Sequence, residues 1–294
     1  MEDKTPLPPT QMVVFGGHPD GITTKDRDAR VRQTEQALSM LYLPTGNSIT
    51  TRWDRAGVDR LLVVRESHRH IYDARHMEMN GFSQVVMPDK EGRIASDRRE
   101  WVRVNVARTS RTVRIQSDGD IQKVGTNLTY GDKWLTDPFD LSEFIGAWVL
   151  QFQHDNLDYA GFNDRENRPG IVPHIYPGHP IPASYGRAYF KETLTFESGK
   201  CPGRYPQGWR FKEGAFRILD TVRAGGRTAR FFPTALYETR SPDEYETEEA
   251  DRKSTAALIR EFGPDWVLQS RGKGLGLQAY GVRRNRKRRE LKNG

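Results

Sequence analysis

Five side chains near the start of the chain have the types and spacing for metal chemistry. His18 and Asp20 stand in "GGHPDGIT", directly after the apolar stretch "QMVVF". Glu66, His68 and His70 follow a second apolar stretch, within "DRLLVVRESHRH". Imidazoles and carboxylates are the usual donors to zinc, and a bound ion of that kind turns water into a nucleophile near neutral pH. If the two apolar stretches are neighbouring parallel strands, both loops leave the sheet at its carboxyl edge, where open α/β sheets bind ligands. Asp73 and His76 follow close behind. Against this, "SHRHIYDARH" is crowded with arginine, which opposes a cation, and a third ligand is not identifiable. A metal-dependent hydrolase, even a nuclease, is therefore an alternative reading. No metal, no other cofactor and no catalytic residue is assigned.

Other reactive types lack partners. His174 and His179 lie five apart in the proline-rich "VPHIYPGHPIP", a spacing that suits packing or surface positions better than ligation. Cys201, the single cysteine, has no histidine at a diagnostic spacing, so a structural thiol is expected. Around Gly199-Lys200 the phosphate-loop pattern fails, with Leu194 at the leading glycine and Cys201 at the closing hydroxyl. "RGKGLGLQAYG" has the glycines for a close backbone approach but not the dinucleotide fingerprint.

Positive charge is the strongest compositional signal. Seven of the ten residues from Arg283 to Lys292 are basic and only Glu290 is acidic, so this end carries nearly all of the chain's net +7. An almost neutral body with a concentrated basic end favours a local phosphate contact. Arg283, Arg284, Arg286, Lys287, Arg288 and Arg289 are the expected contacts, with Lys273 in the glycine-rich stretch before them. In "GRAYFKE" a strand would line up Arg187, Tyr189 and Lys191, the mixture of charge and stacking that single-stranded nucleic acid uses. "GWRFKEG" adds Trp209, Arg210, Phe211 and Lys212. No paired-cysteine zinc spacing or aromatic RNA-recognition signature accompanies them.

These residues need elements to position them. "QMVVF", a helix capped by Thr23 with Asp26 three residues on, and "DRLLVVRES" predict a strand–helix–strand unit. "WVRVNVAR" and "RTVRIQS" alternate and predict a hairpin with one wet face. "DPFDLSEFIGAWVLQFQ" predicts a helix with Asp140 and Glu143 as its cap pair. Its stripe of Leu141, Phe144, Ile145, Trp148, Val149 and Phe152 is core. Residues 161–184 read as a long loop. Strands are expected in "GRAYFKETLTFES" and in the pair "FRILDTVRAGGRTARFFPTALYE", turned at Gly225-Gly226, with Pro233 pushing its strand toward a sheet edge. A last helix begins with Ser241, Pro242 and Glu244 and ends at Gly263-Pro264. Its acidic first turns offer the basic end a partner within the chain.

The expected fold is α+β. It has a mixed or antiparallel sheet, two clear amphipathic helices, an N-terminal strand–helix–strand unit, long loops and a basic C-terminal arm. The division is a flexible arm at 1–10, the strand–helix–strand part at 11–95, a β-rich part at 96–264 that can join it in one domain, and the arm at 265–294. No run is long enough to span a membrane, and "MEDKTPLPPT" has no signal-peptide apolar stretch. A lone cysteine fits a reducing intracellular compartment or a viral or ribonucleoprotein particle. The leading expectation is a non-enzymatic structural component of a nucleic-acid-containing assembly, with nucleic acid and other protein subunits as partners and no membrane. A protein–protein scaffold is the further alternative.

Overall fold

Thr10–Phe15 forms strand β1, and every residue of it is buried. Its side chains alternate between two cores: Met12 and Val14 enter one, Val13 and Phe15 the other. A strand apolar on both faces belongs inside a sheet covered on both sides. The chain then forms helix α1 (Thr24–Met40) and strand β2 (Val58–Arg65), which pairs parallel to β1 with Val14 opposite Leu62. Thr23 starts the helix as expected, its hydroxyl accepting from the Asp26 backbone N–H at 3.2 Å. The computed structural model describes residues 7–17, 23–41, 58–72, 81–128, 131–135, 137–162, 181–185, 192–209, 212–232, 234–238, 248–263, 267–271 and 278–282.

Strand β3 (Ser83–Met87) adds parallel to β2 on its outer side. Helix α2 (Ala95–Asn105) then carries the chain across to β4 (Val113–Asp118), which pairs parallel to β1 on the other side. The order β3-β2-β1-β4 therefore reverses direction between β1 and β4. Beyond these come β5 (Ile121–Leu128), β6 (Gly131–Trp134), helix α3 (Pro138–His154), β7 (Tyr159–Phe162), β8 (Ile181–Tyr185) and β9 (Leu194–Ser198). Helix α4 (Glu213–Arg223), β10 (Thr228–Phe232), β11 (Ala235–Glu238), helix α5 (Glu248–Phe262), β12 (Val267–Arg271) and β13 (Gln278–Val282) complete the described elements.

The main sheet has eight strands in the order β3-β2-β1-β4-β9-β7-β10-β8. Strand β9 runs antiparallel to both β4 and β7. Strand β10 is parallel to β7, and β8 closes the edge antiparallel. Strands β11-β5-β6 form a small antiparallel sheet, and β12 pairs with β13. The mixed sheet with helices and strands in one chain is the expected fold class. Of the expected arm at 265–294, Val267–Arg271 and Gln278–Val282 pair as antiparallel strands, and residues 283–294 lie outside the described residues. Among the described residues no helix is long and apolar enough to cross a membrane.

Three local expectations are corrected. "WVRVNVAR" lies mostly in helix α2, not in a hairpin. Val102 is buried on it while Val104 is 64% exposed, so the valine alternation does not mark one face. The pattern that wins is helical: Glu100 and Arg103 pair at i,i+3 with 2.6 Å between them. "RTVRIQS" is a strand as expected, but Arg114 and Gln116 are buried, so neither face is wet. Arg114 caps the helix before it, donating to the carbonyls of Val102 (3.0 Å) and Val106 (2.7 Å). "FRILDTVR" is helix α4. A strand is expected there, but Phe216 and Leu219 recur at helical spacing in one cluster with Leu258 and Phe262 of α5. Gly225, at φ 85°, turns the chain from that helix toward β10, which lies inside the sheet between β7 and β8.

Helix α3 matches its expected stripe: Leu141, Ile145, Trp148, Val149 and Phe152 are all buried, and Trp148 stacks on Phe231 at 4.4 Å. Its cap is Asp137, which accepts from the Asp140 N–H at 3.1 Å, rather than the Asp140–Glu143 pair. Helix α5 ends at Gly263 as expected. Its start at Ser241 lies outside the described residues.

Candidate active site

The reversal between β1 and β4 opens the main sheet at its carboxyl edge, and open α/β sheets bind ligands at such a point. Gly16 and Gly17 leave β1 there, and Asp118, Gly119 and Asp120 leave β4. Gly17 sits at φ 111°, a conformation that side chains resist, and its N–H donates to the Tyr72 hydroxyl at 3.0 Å. A Cβ on Gly119 would stand 2.5 Å from the Phe15 carbonyl oxygen and 2.8 Å from Thr34 Oγ1, so only glycine lets the two loops meet so closely. That glycine separates two carboxylates, Asp118 and Asp120, whose side chains are 34% and 28% exposed.

Arg99 of α2 organises the wall beside them. Its guanidinium is only 3% exposed and donates to Asp118 Oδ1 at 2.6 Å and to the Glu192 carbonyl at 3.3 Å. It also lies 3.4 Å from Glu192 Oε2 and 3.5 Å from Glu213 Oε1. Glu192 precedes β9, whose antiparallel pairing brings it beside the end of β4: the Asp118 N–H donates to the Thr193 carbonyl at 3.0 Å. Glu213 opens helix α4. Three carboxylates from three elements thus surround one buried cation. Burial pushes the Glu213 carboxyl up to about 8, with the Glu192 charge adding to the rise and Arg99 opposing it. Glu192 is raised by burial as well, against Arg99 and the Tyr159 hydroxyl.

A second charged cluster forms the floor. Glu197 of β9 accepts from Arg217 (2.6 Å), Arg108 (2.7 Å) and Gln116 Nε2 (2.7 Å). Burial alone would raise its pKa, but Arg217 and Arg108 hold it down at about 2. Arg217 lies over the rings of Tyr205 (4.7 Å) and Tyr159 (5.3 Å). These contacts lock β4, β9, β7 and α4 together beneath the three carboxylates.

The histidine group takes a different form from the expected one. Glu66, His68 and His70 lie on one 3₁₀ turn (Glu66–Ile71), where His68 is buried and the other two are exposed. His68 Nε2 is 2.9 Å from Arg65 NH2, a contact that already engages that ring nitrogen. His18, Asp20, Asp73, His76, His174 and His179 lie outside the described residues. Among the described residues no group of three histidine, cysteine, aspartate or glutamate side chains is placed to hold a metal. Cys201 is buried, 3.1 Å from Arg217, and burial pushes its thiol up, in keeping with a structural role. Trp209 packs edge-on against Phe216 at 5.2 Å, and Lys212 sits at φ 60° just before α4. Arg187, Tyr189, Lys191, Arg210, Phe211, Lys273 and Arg283, Arg284, Arg286, Lys287, Arg288 and Arg289 lie outside the described residues.

No protein-family model matches the chain, and no curated protein does. Solved structures do. Residues 1–349 of TarS from S. aureus are similar at TM-score 0.46 and 11% identity, over 85% of this chain and 65% of that one. GalNAc-T7 with UDP, GalNAc and Mn2+ is similar at 0.49 and 11%, over 88% and 50%. Glucosyl-3-phosphoglycerate synthase from Mycobacterium tuberculosis, with Mg2+ and uridine-diphosphate, is similar at 0.49 and 11%, over 93% and 87%. The chain spans about two thirds of the first of these and half of the second.

The expected non-enzymatic component of a virion or ribonucleoprotein is corrected by these findings. The similar structures include a synthase and complexes with UDP and divalent metals. The physical reason agrees. Among the described residues, the carboxyl edge of the sheet presents three carboxylates about Arg99 rather than the row of cations a nucleic-acid backbone requires. The nucleic-acid and subunit partners fall with that expectation.

Proposed function

We propose that the chain is a transferase that binds a nucleoside-diphosphate-linked donor at the carboxyl edge between β1 and β4. The supporting observation is the Asp118-Gly119-Asp120 turn, pressed against the end of β1 at the point where the strand order reverses. Two carboxylates and few other protein ligands are what a divalent ion needs when phosphate oxygens complete its shell. The donor set fits: Asp120 and the second oxygen of Asp118 would hold the ion, while Arg99 keeps Asp118 Oδ1. The ion would offset phosphate charge and stabilise the leaving diphosphate.

The chain's own residues do the remaining work. Gly17 and Gly119 let the loops after β1 and β4 close tightly, Gly17 against His68 and Gly119 against the end of β1. Arg99 fixes the direction of Asp118 and ties it to Glu192 and Glu213. Arg30 of α1, 4.0 Å from Asp120, balances its charge from the other side. A reducing intracellular location accompanies this reading, with Cys201 as a lone buried thiol.

Calorimetric titration of the full chain with UDP, with and without Mn2+, tests the reading; UDP is chosen because two similar structures contain it. Mn2+ is expected to tighten UDP binding at least ~10-fold, and Asp120→Asn is expected to abolish that gain. Equal UDP affinity with and without Mn2+ in the unaltered chain overturns it.

A further inference from the structure

Glu192 and Glu213 come from different segments but meet at one wall. A Cβ placed on Gly214 would stand 2.9 Å from Glu192 Cγ and 3.1 Å from its carboxyl carbon, so the first turn of α4 packs directly on the Glu192 side chain. Both carboxyls reach the same nitrogen, Arg99 NH1, at 3.4 and 3.5 Å. The Tyr159 hydroxyl donates to Glu192 Oε1 at 2.8 Å and lies 3.3 Å from the Tyr205 hydroxyl. Arg99 Nε is buried and has no hydrogen-bond partner among the described residues.

Among the described residues whose contacts to the pair are given, the charges do not balance two anions. From α2 comes Arg99, already shared with Asp118 of β4. From β7 and the segment before α4 come the neutral phenols of Tyr159 and Tyr205. From α4 itself comes Arg217, engaged at 2.6 Å by Glu197. Three carboxylates therefore compete for one guanidinium in a place where Glu192 is 7% exposed and Glu213 18%. Two carboxyls so placed cannot both ionise without a large penalty.

We infer that Glu192 and Glu213 hold a single proton between them, and that Glu213, the more exposed member, is the one that exchanges it with its surroundings. When Glu213 gives the proton up, its O–H bond breaks, the electron pair stays on the carboxylate, and the proton passes to a ligand oxygen or to solvent. The pair then carries two charges opposite Arg99 and regains the proton when the ligand oxygen releases one. Glu192 acts as a positioning residue: it sets how tightly Glu213 holds the proton. The use of this proton in group transfer rests on the proposed transferase reading; the sharing itself does not. The raised positions of both carboxyls agree with it.

Carbon-13 NMR of the full chain, labelled at the glutamate carboxyls and titrated from pH 4 to 10, tests the inference, with Glu192→Gln and Glu213→Gln assigning the signals. One glutamate signal is expected to titrate near pH 8, to vanish in Glu213→Gln, and to move down by a unit or more in Glu192→Gln. A Glu213 signal in the ordinary carboxyl range, or one unmoved by Glu192→Gln, overturns it. Should Glu192→Gln fail to fold, the unaltered chain and Glu213→Gln still decide, because a shared proton requires Glu192 to titrate lower once Glu213 is gone. The titration involves neither nucleotide nor cation, so its outcome is independent of whether UDP and Mn2+ bind.

Discussion

Replacing Glu213 by glutamine should make the protein more stable in mild alkali, although it removes a side chain with an ion-pair partner. The carboxyl moves from an ordinary 4.5 to about 8 on folding, chiefly through burial and then through the Glu192 charge. Between those values the unfolded chain has lost a proton that the folded chain keeps. Stability contributed by the protonated form is therefore complete below pH 4.5 and is lost progressively as pH rises toward 8. At 1.36 kcal/mol per pH unit, a shift of this size corresponds to an upper value of about 5 kcal/mol. Partial exposure of the side chain and retained contact with Arg99 reduce it, so ~2–4 kcal/mol is expected. Glutamine has the same shape and no charge to bury. Urea unfolding of both forms at pH 5 and pH 9 measures the effect. The unaltered chain should lose stability between these pH values, and Glu213→Gln should lose less by ~2 kcal/mol or more, with the same denaturant slope. Equal losses in the two forms would falsify the burial account of Glu213.

Glu197 should behave with the opposite sign. Arg217 and Arg108 outweigh its burial and hold it at about 2, so its stabilisation is present above pH 4.5 and disappears as pH falls toward 2. Glu197→Gln should cost ~3–5 kcal/mol at pH 7, because it leaves Arg217 buried without its counter-charge, and should flatten the acid limb of the stability curve. Gly119→Ala should weaken UDP–Mn2+ binding at least ~10-fold through the 2.5 Å approach to the Phe15 carbonyl, a loss calorimetry detects directly. Thr23→Ala should lower stability by ~1 kcal/mol through the lost cap of α1, with UDP affinity unchanged.

Local patterns revealed the parts of the fold whose causes are local. Thr23 at the head of α1 and the apolar stripe of α3 are signals within single elements, and both elements formed where expected. In helices α2 and α4 the valines, isoleucine and threonine favour strands in isolation, while contacts to β4 and α5 decide the outcome. The active-site carboxylates were hidden for a related reason. Arg99 and Glu192 are 93 residues apart, and their meeting depends on β9 pairing antiparallel beside β4. Asp118-Gly119-Asp120 did carry a readable signal, two acids about a glycine at a strand end, but it resembles any polar turn until the strand order is known. The basic run at 283–292 is contiguous in sequence, whereas the carboxylates about Arg99 come from β4, α4 and the segment before β9.

The most direct measurement is a crystal of the full chain grown with UDP and Mn2+, with data collected at a wavelength where manganese scatters anomalously. The account predicts a manganese peak beside Asp120 and Asp118, with the diphosphate between that peak and the loop at Gly17. A peak beside His68 and His70 instead, or a nucleotide bound away from the β1–β4 edge, would contradict it.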